Sequence, residues 1–439
     1  MTDKELPVEQ RVLQLFEHLG ISRAHIAARV PQDWKGFVTT YPERVTSLTL
    51  VCPSGVDSRA LQPLNSRLLA VVADQGALAE RVRQPLMQLT EATIHTLQDY
   101  TAQLWSDVIA DRCDDLRAGM LGFLSQINQR SRTVAVSLAE GEGEHAGLFY
   151  RIRGAGYPIV LLPLAIAPSQ WEPLVPVLSQ HYCTITIGGP FVGAVATLEE
   201  RVRSSYGDVV KRLVEAMHLQ PGEAVLDVGC GPGAIARWLG RQTKGANRIV
   251  GVDVNRYLLN EAVALTRKAE MADTITFQEG NAEALPFPSD SFDVTLSCTV
   301  LEEGDADQML AELVRVTKPG GRVAVIVRAM DIPWWVNLPL DAALKTSVER
   351  RMGSGVIPQG CADATLYQRM IGSGLGQIEM FPQLATFTKG GQFQDRVGRI
   401  LSLVPPEDLP VCRDAIAKAE AERTFFIAEP FHCAVGTKP

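Results

Sequence analysis

No apolar run in this 439-residue sequence is long enough to cross a bilayer. The longest, over residues 159–167, is broken by Pro163. The first nine residues are polar and acidic and lack the apolar centre of a signal peptide. Lysine and arginine form no run, and 42 of them stand against 50 aspartates and glutamates, a net charge of -8. Such a chain is not drawn to phosphate backbones, so no nucleic acid partner is expected. Cysteine is sparse, with eight scattered residues and no CxxC pair. That pattern points to buried free thiols in a reducing compartment, and no metal is expected. These absences together suggest a cytoplasmic protein without a membrane span. There is no fixed-period repeat and no low-complexity tract.

What is present is ordinary for a globular chain: 46% hydrophobic and 21% charged residues, and length for two or three domains. Residues 1–192 read as one region, with α/β patterning over 10–130, a polar linker at 131–146 and a block rich in β-branched residues over 147–192. Residues 197–439 read as a second. Its first stretch, 197–218, has helical periodicity with Val202, Tyr206, Val209, Val210, Leu213 and Met217 on one side. From Ala224 strands and helices alternate, which implies a doubly wound parallel sheet with ligands at the carboxyl ends of its strands. An insert at about 331–372 is placed to cover a substrate, and residues 425–436 read as the last strand.

The strongest motif is Val225-Leu226-Asp227-Val228-Gly229-Cys230-Gly231-Pro232-Gly233, between a buried strand and a helix. Gly229, Gly231 and Gly233 allow a sharp turn and close approach of backbone to a ligand. The helix that follows points its N-terminus at that ligand. A glycine turn alone also suits a dinucleotide. Here an acid sits on the strand just before the glycines. A carboxylate there would repel a pyrophosphate but suits a cationic amino acid end, which favours S-adenosylmethionine over NAD. A second acid, Asp253, ends the next strand, where it can accept both ribose hydroxyls. Three further segments follow: Glu279 to Phe287, Ser291 to Val294, and Val316 to Gly321.

With these five motifs in order, residues 222–327 resemble the class I S-adenosylmethionine-dependent methyltransferases, in particular the branch with the ubiquinone and menaquinone C-methyltransferases. The resemblance implies a Rossmann-like sheet and S-adenosyl-L-methionine as cofactor. It places Asp227, Gly229 and Gly231 against the methionine part, with Cys230 and Gly233 in the same turn. It gives Asp253 the ribose, with Val254 beside it, and sets Asn281 and Ala282 along the adenine. Cys298 to Leu301 would line the pocket. The family usually has Asp where Asn281 stands, and an amide can still pair with the adenine edge.

Methyl transfer is an in-line displacement, so a base is needed only when the acceptor must lose a proton. Candidates are Glu302, His432 and Tyr206, and Glu303 adjoins the first of them. Each also has a plainer role: a solvated helix start for Glu302 and Glu303, a packed histidine for His432, helix packing for Tyr206. Tyr206, Trp334 and Trp335 are candidate walls of a small, largely apolar acceptor site, and both tryptophans could equally be core. Cys230 and Cys298 also fit as small buried hydrophobes.

The first region resembles an α/β-hydrolase with its halves exchanged. Residues 24–28, 40–51 and 68–74 are similar to the later strands of that fold, and residues 148–162 and 171–187 to its beginning. The hydrolase chemistry is missing. The nucleophile turn needs G-x-S-x-G, and Ala27 to Trp34 contains no serine, cysteine or glycine. Asp74 alone is not a site. The expected function is therefore methyl transfer to a small-molecule acceptor, an oxygen, carbon, nitrogen or sulfur atom of an aromatic, quinol-like or thiol compound. The region 1–192 would be a scaffold, for instance for a homodimer. The alternative is a ligand-sensing or regulatory protein with a vestigial methyltransferase domain.

Overall fold

The computed structural model describes residues 6–102, 106–131, 133–351, 356 and 358–439. Of the expected linker, residue 132 lies outside the described residues, as do residues 352–355 and 357 of the expected insert. The chain divides into two compact units, Met1–Ala196 and Thr197–Pro439.

The first unit holds β1 (Ala24–Ala28), β2 (Val45–Val51), β3 (Leu68–Gln75), β4 (Thr93–Thr101), β5 (Gly141–His145), β6 (Leu148–Arg153), β7 (Tyr157–Leu161) and β8 (Tyr182–Gly188). They form one sheet in the order β4-β3-β2-β1-β7-β8-β6-β5. Pairing is parallel from β4 through β8, while β6 runs antiparallel to both β8 and β5. β1 and β2 are buried along their whole length, as strands with both faces covered must be. The period of two decides which face each residue serves. On β3, Leu68 and Ala70 pack with Phe16, Trp34 and Phe37, whereas Leu69 and Val71 pack with Leu116, Met120 and Leu124 of the helix Cys113–Arg130.

The stretch expected as a linker contains β5. Glu142 and Glu144 alternate with Gly143, Glu142 pairs across the ladder with Arg151, and the two side chains form an ion pair at 2.8 Å. A polar composition that reads as loop is here a charged edge strand, the usual protection of a sheet edge.

The second unit holds β9 (Val225–Val228), β10 (Ile249–Asp253), β11 (Ile275–Glu279), β12 (Phe292–Cys298), β13 (Thr317–Arg328), β14 (Trp335–Val336), β15 (Gly376–Phe387) and β16 (Ile427–Thr437). The sheet order is β11-β10-β9-β12-β13-β16-β14, with β15 also paired to β16. β11 through β13 are parallel, and β16 runs antiparallel to β13. Order reverses between β9 and β12, which opens a crevice at their carboxyl ends.

The single helix expected over 197–218 is two, Gly193–Arg203 and Ser205–Ala216. Ser204 interrupts it by turning extended and accepting a bond from the Tyr206 N–H at 3.3 Å, the ordinary N-cap of a new helix. Beyond residue 372, helices Gly391–Leu403 and Leu409–Ala421 pack Phe393, Val397, Ile400, Cys412 and Ile416 into the core of this unit. Among the described residues no helix is long and apolar enough to cross a membrane.

Candidate active site

Register brings the two strand-end acids together. Asp227 on β9 stands opposite Gly251 on β10 and Leu296 on β12, and Asp253 closes β10 two residues further on. The chain then turns through Gly229, Gly231 and Gly233, all with positive φ. At Gly233, φ is +75° and a Cβ would lie 2.6 Å from the ring of Phe277. At Gly229, φ is +73° and a Cβ would collide with Val300. No other residue type fits these two positions without displacement. The turn is tied to β10: the N–H groups of Gly229 and Cys230 donate to the Val252 carbonyl at 2.8 and 3.0 Å.

Asp253 accepts from the Gly231 N–H through one oxygen and from the Asn255 N–H through the other, both at 2.8 Å. Asn255 in turn caps the helix Arg256–Lys268. Asp227 is different. It is 1% exposed, and its Oδ2 meets no hydrogen-bond donor among the described residues. Burial, reinforced by the nearby Asp253 charge, pushes its carboxyl up to about 7. A buried carboxylate oxygen with no donor is costly. It is the group a cationic ligand would satisfy. Val254, next to Asp253, is exposed, while Asn281 accepts from the Glu283 N–H at 2.9 Å and bridges back to Ala284. Ala282 is half-buried beside the Leu285 cluster. Cys230 and Cys298 are buried, and burial raises both thiols well above their ordinary range, so neither is poised as a thiolate.

Beside this turn, past the ends of β12 and β13, lies a cavity of about 270 Å³. Thr299 and Glu303 line it after β12, and Arg328 lines it at the end of β13. Thr299 has φ +58°, a strained conformation for a β-branched residue. Its hydroxyl accepts from Arg201 Nη2 at 3.0 Å. Trp334 forms another wall, 5% exposed. The helix Gly391–Leu403 contributes Arg396 and Arg399. Arg396 is ion-paired with Glu429 and lies 3.7 Å above the Phe387 ring.

None of the three residues expected as proton carriers lines this cavity. Glu302 is buried, not at a solvated helix start: it accepts from the Arg328 N–H at 2.8 Å, and burial raises its carboxyl. His432 is committed on β16, with Nε2 at 2.8 Å from Asp331. Tyr206 is buried beneath the Arg201 guanidinium at 4.2 Å and against Phe431 at 5.1 Å, and burial raises its hydroxyl strongly. Glu303 is the carboxylate that reaches the cavity, and burial together with Glu302 raises its pKa. The two tryptophans also part company. Trp335 is 53% exposed, stacks edge-on to Phe426 at 5.2 Å and does not line the cavity. Trp335 opens β14 and Trp334 immediately precedes it, and the two neighbours differ in exposure from 5% to 53%. The expectation of a largely apolar site is corrected too, because the lining is mostly charged, with Arg201, Arg328, Arg396 and Arg399 beside Glu303, Asp395 and Glu429. Arg396 and Arg399 sit in a helix that sequence reading left unassigned. Their i, i+3 spacing, one turn apart, was the available signal.

Residues 225–321 match the methyltransferase domain family. A methyltransferase of Streptomyces halstedii is 37% identical over 118 residues, 27% of this chain and 42% of that protein. A demethylmenaquinone methyltransferase of Symbiobacterium thermophilum is 34% identical over 113 residues, 26% of this chain and 45% of that protein. The chain thus spans less than half the length of either relative. Among solved structures, the YcgJ protein of Bacillus subtilis is 20% identical and covers 53% of this chain and 97% of its own, at a TM-score of 0.36. The matched residues 225–321 include the acid–glycine turn between β9 and its helix, so the likeness to methyltransferase domains falls on the candidate site itself.

Proposed function

We propose that this chain transfers a methyl group from S-adenosylmethionine to a small-molecule acceptor. The observation that carries the reading is Asp227, a buried carboxylate with an unpartnered oxygen at the mouth of a glycine turn. The donor set fits the cofactor: Asp227 would hold the ammonium of its methionine end, Asp253 its ribose hydroxyls, and Asn281 and Ala282 its adenine. Bound there, the cofactor supplies an electrophilic methyl group on a sulfonium. The chain's own task is to orient the acceptor, exclude water and, where the acceptor must lose a proton, receive it. Glu303 is the side chain placed for that last role. The test is calorimetric titration with S-adenosylhomocysteine, followed by transfer of labelled methyl to a metabolite mixture. A folded protein that binds neither cofactor form would sink the reading. Cofactor binding without any labelled product would favour a regulatory protein instead.

We infer that the first unit is a permuted, non-catalytic α/β-hydrolase-like sheet. Its order supports this: β5–β8 lie together, β1–β4 lie together, and the halves meet at β1 and β7. Taken with the second half first, the strands read 1-2-4-3-5-6-7-8 across the sheet, and only the second runs against the rest. A permutation moves the chain ends and leaves such a sheet whole. Where a nucleophile turn would follow β1, Arg29 donates to the carbonyls of Cys52 and Ser106 at 3.1 and 3.0 Å. Asp33 accepts from the Gly193 N–H at 3.0 Å. Both side chains are structural in these roles. Turnover of p-nitrophenyl acetate by the intact protein, lost on substitution within this unit, would overturn the inference.

A further inference from the structure

We propose that the acceptor is a small uncharged polyol, a compact molecule with several neighbouring hydroxyl groups, bound in the cavity beside the glycine turn where guanidinium and carboxylate groups are interspersed around the wall. The proposal rests on the methyl-transfer reading above and names the substrate class of that site.

Size comes first. A cavity of about 270 Å³ lies at the small end of ligand pockets, about 300–1,000 Å³. It has room for one ring with its substituents. Position comes next. Thr299 follows the last residue of β12 and Arg328 ends β13. An occupant would thus lie at the carboxyl edge of the sheet, where β12 adjoins the strand of Asp227.

Polarity narrows the class. Among the described residues of the lining, Trp334 alone presents an aromatic ring; the others end in guanidinium, carboxylate, amide or hydroxyl groups. An apolar occupant would take water from these groups and leave their hydrogen bonds unmade, which is costly. The two signs of charge are mixed around the wall. Glu429 is ion-paired with Arg396 and also acts on Arg399. Glu303 lies within reach of the Arg201 and Arg328 charges, and Asp395 directly precedes Arg396 in its helix. Behind the wall, Glu302 meets Arg328 at 3.4 Å. Neither Arg399 nor Asp395 is free. An anionic occupant would therefore face carboxylates as well as guanidiniums, and a cationic one the reverse, although a buried charge needs a partner of its own. A zwitterion would need the two signs sorted to opposite ends of the cavity.

Hydrogen-bond chemistry selects the hydroxyl. A guanidinium only donates, an ionised carboxylate only accepts, and a hydroxyl group does both. Set between an arginine and an acid, a hydroxyl oxygen accepts from the first and its proton is donated to the second, and each bond has a charged partner. Neighbouring hydroxyls repeat the pattern around the wall, and no ion pair of the lining has to break. The Trp334 ring, with the Arg396 and Arg399 guanidiniums 5.6 and 5.8 Å from its centroid, gives the C–H side of such a molecule an apolar contact among these groups.

The test uses the full chain, S-adenosylmethionine labelled in its methyl group, and a whole-cell metabolite mixture extracted with both water and organic solvent. The labelled product should stay in water against octanol, pass unretained through anion and cation exchangers, and be cleaved by periodate, which cuts between neighbouring hydroxyls. Extraction into octanol, retention on either exchanger, or resistance to periodate would each overturn the polyol assignment and leave methyl transfer intact. Arg399→Met should raise the KM of the purified acceptor by about tenfold or more, the loss of one hydrogen bond to a charged group, with S-adenosylhomocysteine affinity unchanged. If that variant does not fold, Arg201→Lys, which keeps the charge and loses the planar fork, serves the same purpose. An unchanged KM in a folded variant would place the acceptor outside this cavity and overturn the proposal. A folded protein that binds S-adenosylhomocysteine and yields no labelled product would instead strike the reading beneath it.

Discussion

The backbone N–H of Gly231 donates to Asp253 Oδ2 at 2.8 Å, so one carboxylate at the end of β10 holds the glycine turn that follows β9. The same side chain steadies the start of the next helix through Asn255. Asp253 is therefore a structural tie, and under the proposed function it would also meet a ribose. Asp253→Ala should weaken S-adenosylhomocysteine binding by about tenfold or more, since hydrogen bonds to a charged group contribute about 1.5–3 kcal/mol each. Calorimetry reads the affinity, and an unchanged value would remove Asp253 from the site.

Cofactor affinity should rise with pH through about 7. Asp227 is raised by burial to about 7 from an ordinary 3.8. Only its ionised form attracts an ammonium group, so below about pH 7 binding must first expel a proton. Titrations in buffers of different ionisation enthalpy should detect that proton at about pH 6 and not at about pH 8. Asp227→Asn should flatten the profile and lower affinity at the higher pH. A flat profile in the unsubstituted protein would show that Asp227 does not meet the cofactor's charge.

Gly233→Ala should destabilise the second unit by about 2–5 kcal/mol. A left-handed backbone costs an L-residue about 1–2 kcal/mol, and the new methyl group would press on Phe277, where overpacking adds about 1–3 kcal/mol. Urea denaturation checks this. A loss under about 0.5 kcal/mol would mean that the turn relaxes freely.

The neighbouring tryptophans should behave oppositely. Trp335→Ala removes a half-exposed ring and should shift stability little, leaving both ligands bound as before. Trp334→Ala removes a buried ring that lines the cavity and should cost about 3–5 kcal/mol. A milder Trp334→Phe should keep the fold and raise the acceptor KM with cofactor affinity constant. Equal effects at both positions in melting and binding experiments would contradict the division.

In the first unit, Asp33 is raised by burial to about 7, opposed by its bond from the Gly193 N–H. An acid with a raised folded pKa keeps its proton in the native state while the unfolded chain releases it. Its contribution is thus full below about pH 4, falls as pH rises, and is lost above about pH 7. The melting temperature of Asp33→Asn relative to the unsubstituted protein should therefore climb between about pH 5 and pH 8. A constant difference across that range would mean that Asp33 is already ionised in the fold.

Much of the second sheet was legible because its signals are local. The apolar run into Asp227, the glycines and the acid at Asp253 are set by neighbours in the chain, and strands expected at 292–297 and 425–436 occur at Phe292–Cys298 and Ile427–Thr437. Similarly, the strand expected at 24–28 is β1, Ala24–Ala28. Where composition misled, as at β5, an acidic stretch forms an edge strand paired to β6, with Arg151 across the ladder to meet Glu142.

The sequence by itself determined the alternating α/β pattern, the acid–glycine turn and the absence of a serine elbow, since each follows from periodicity or from residues a few positions apart. Only the tertiary structure decided what lines the cavity. Arg201, Arg328 and Arg399 are far apart in the chain and line one cavity only because the helix Gly193–Arg203, the end of β13 and the helix Gly391–Leu403 converge on it. Whether Glu302 or Glu303 faces that space, and whether Trp334 or Trp335 does, turns on a single residue of register. Composition does not carry that information, because adjacent residues of identical type differ only in the face on which packing leaves them.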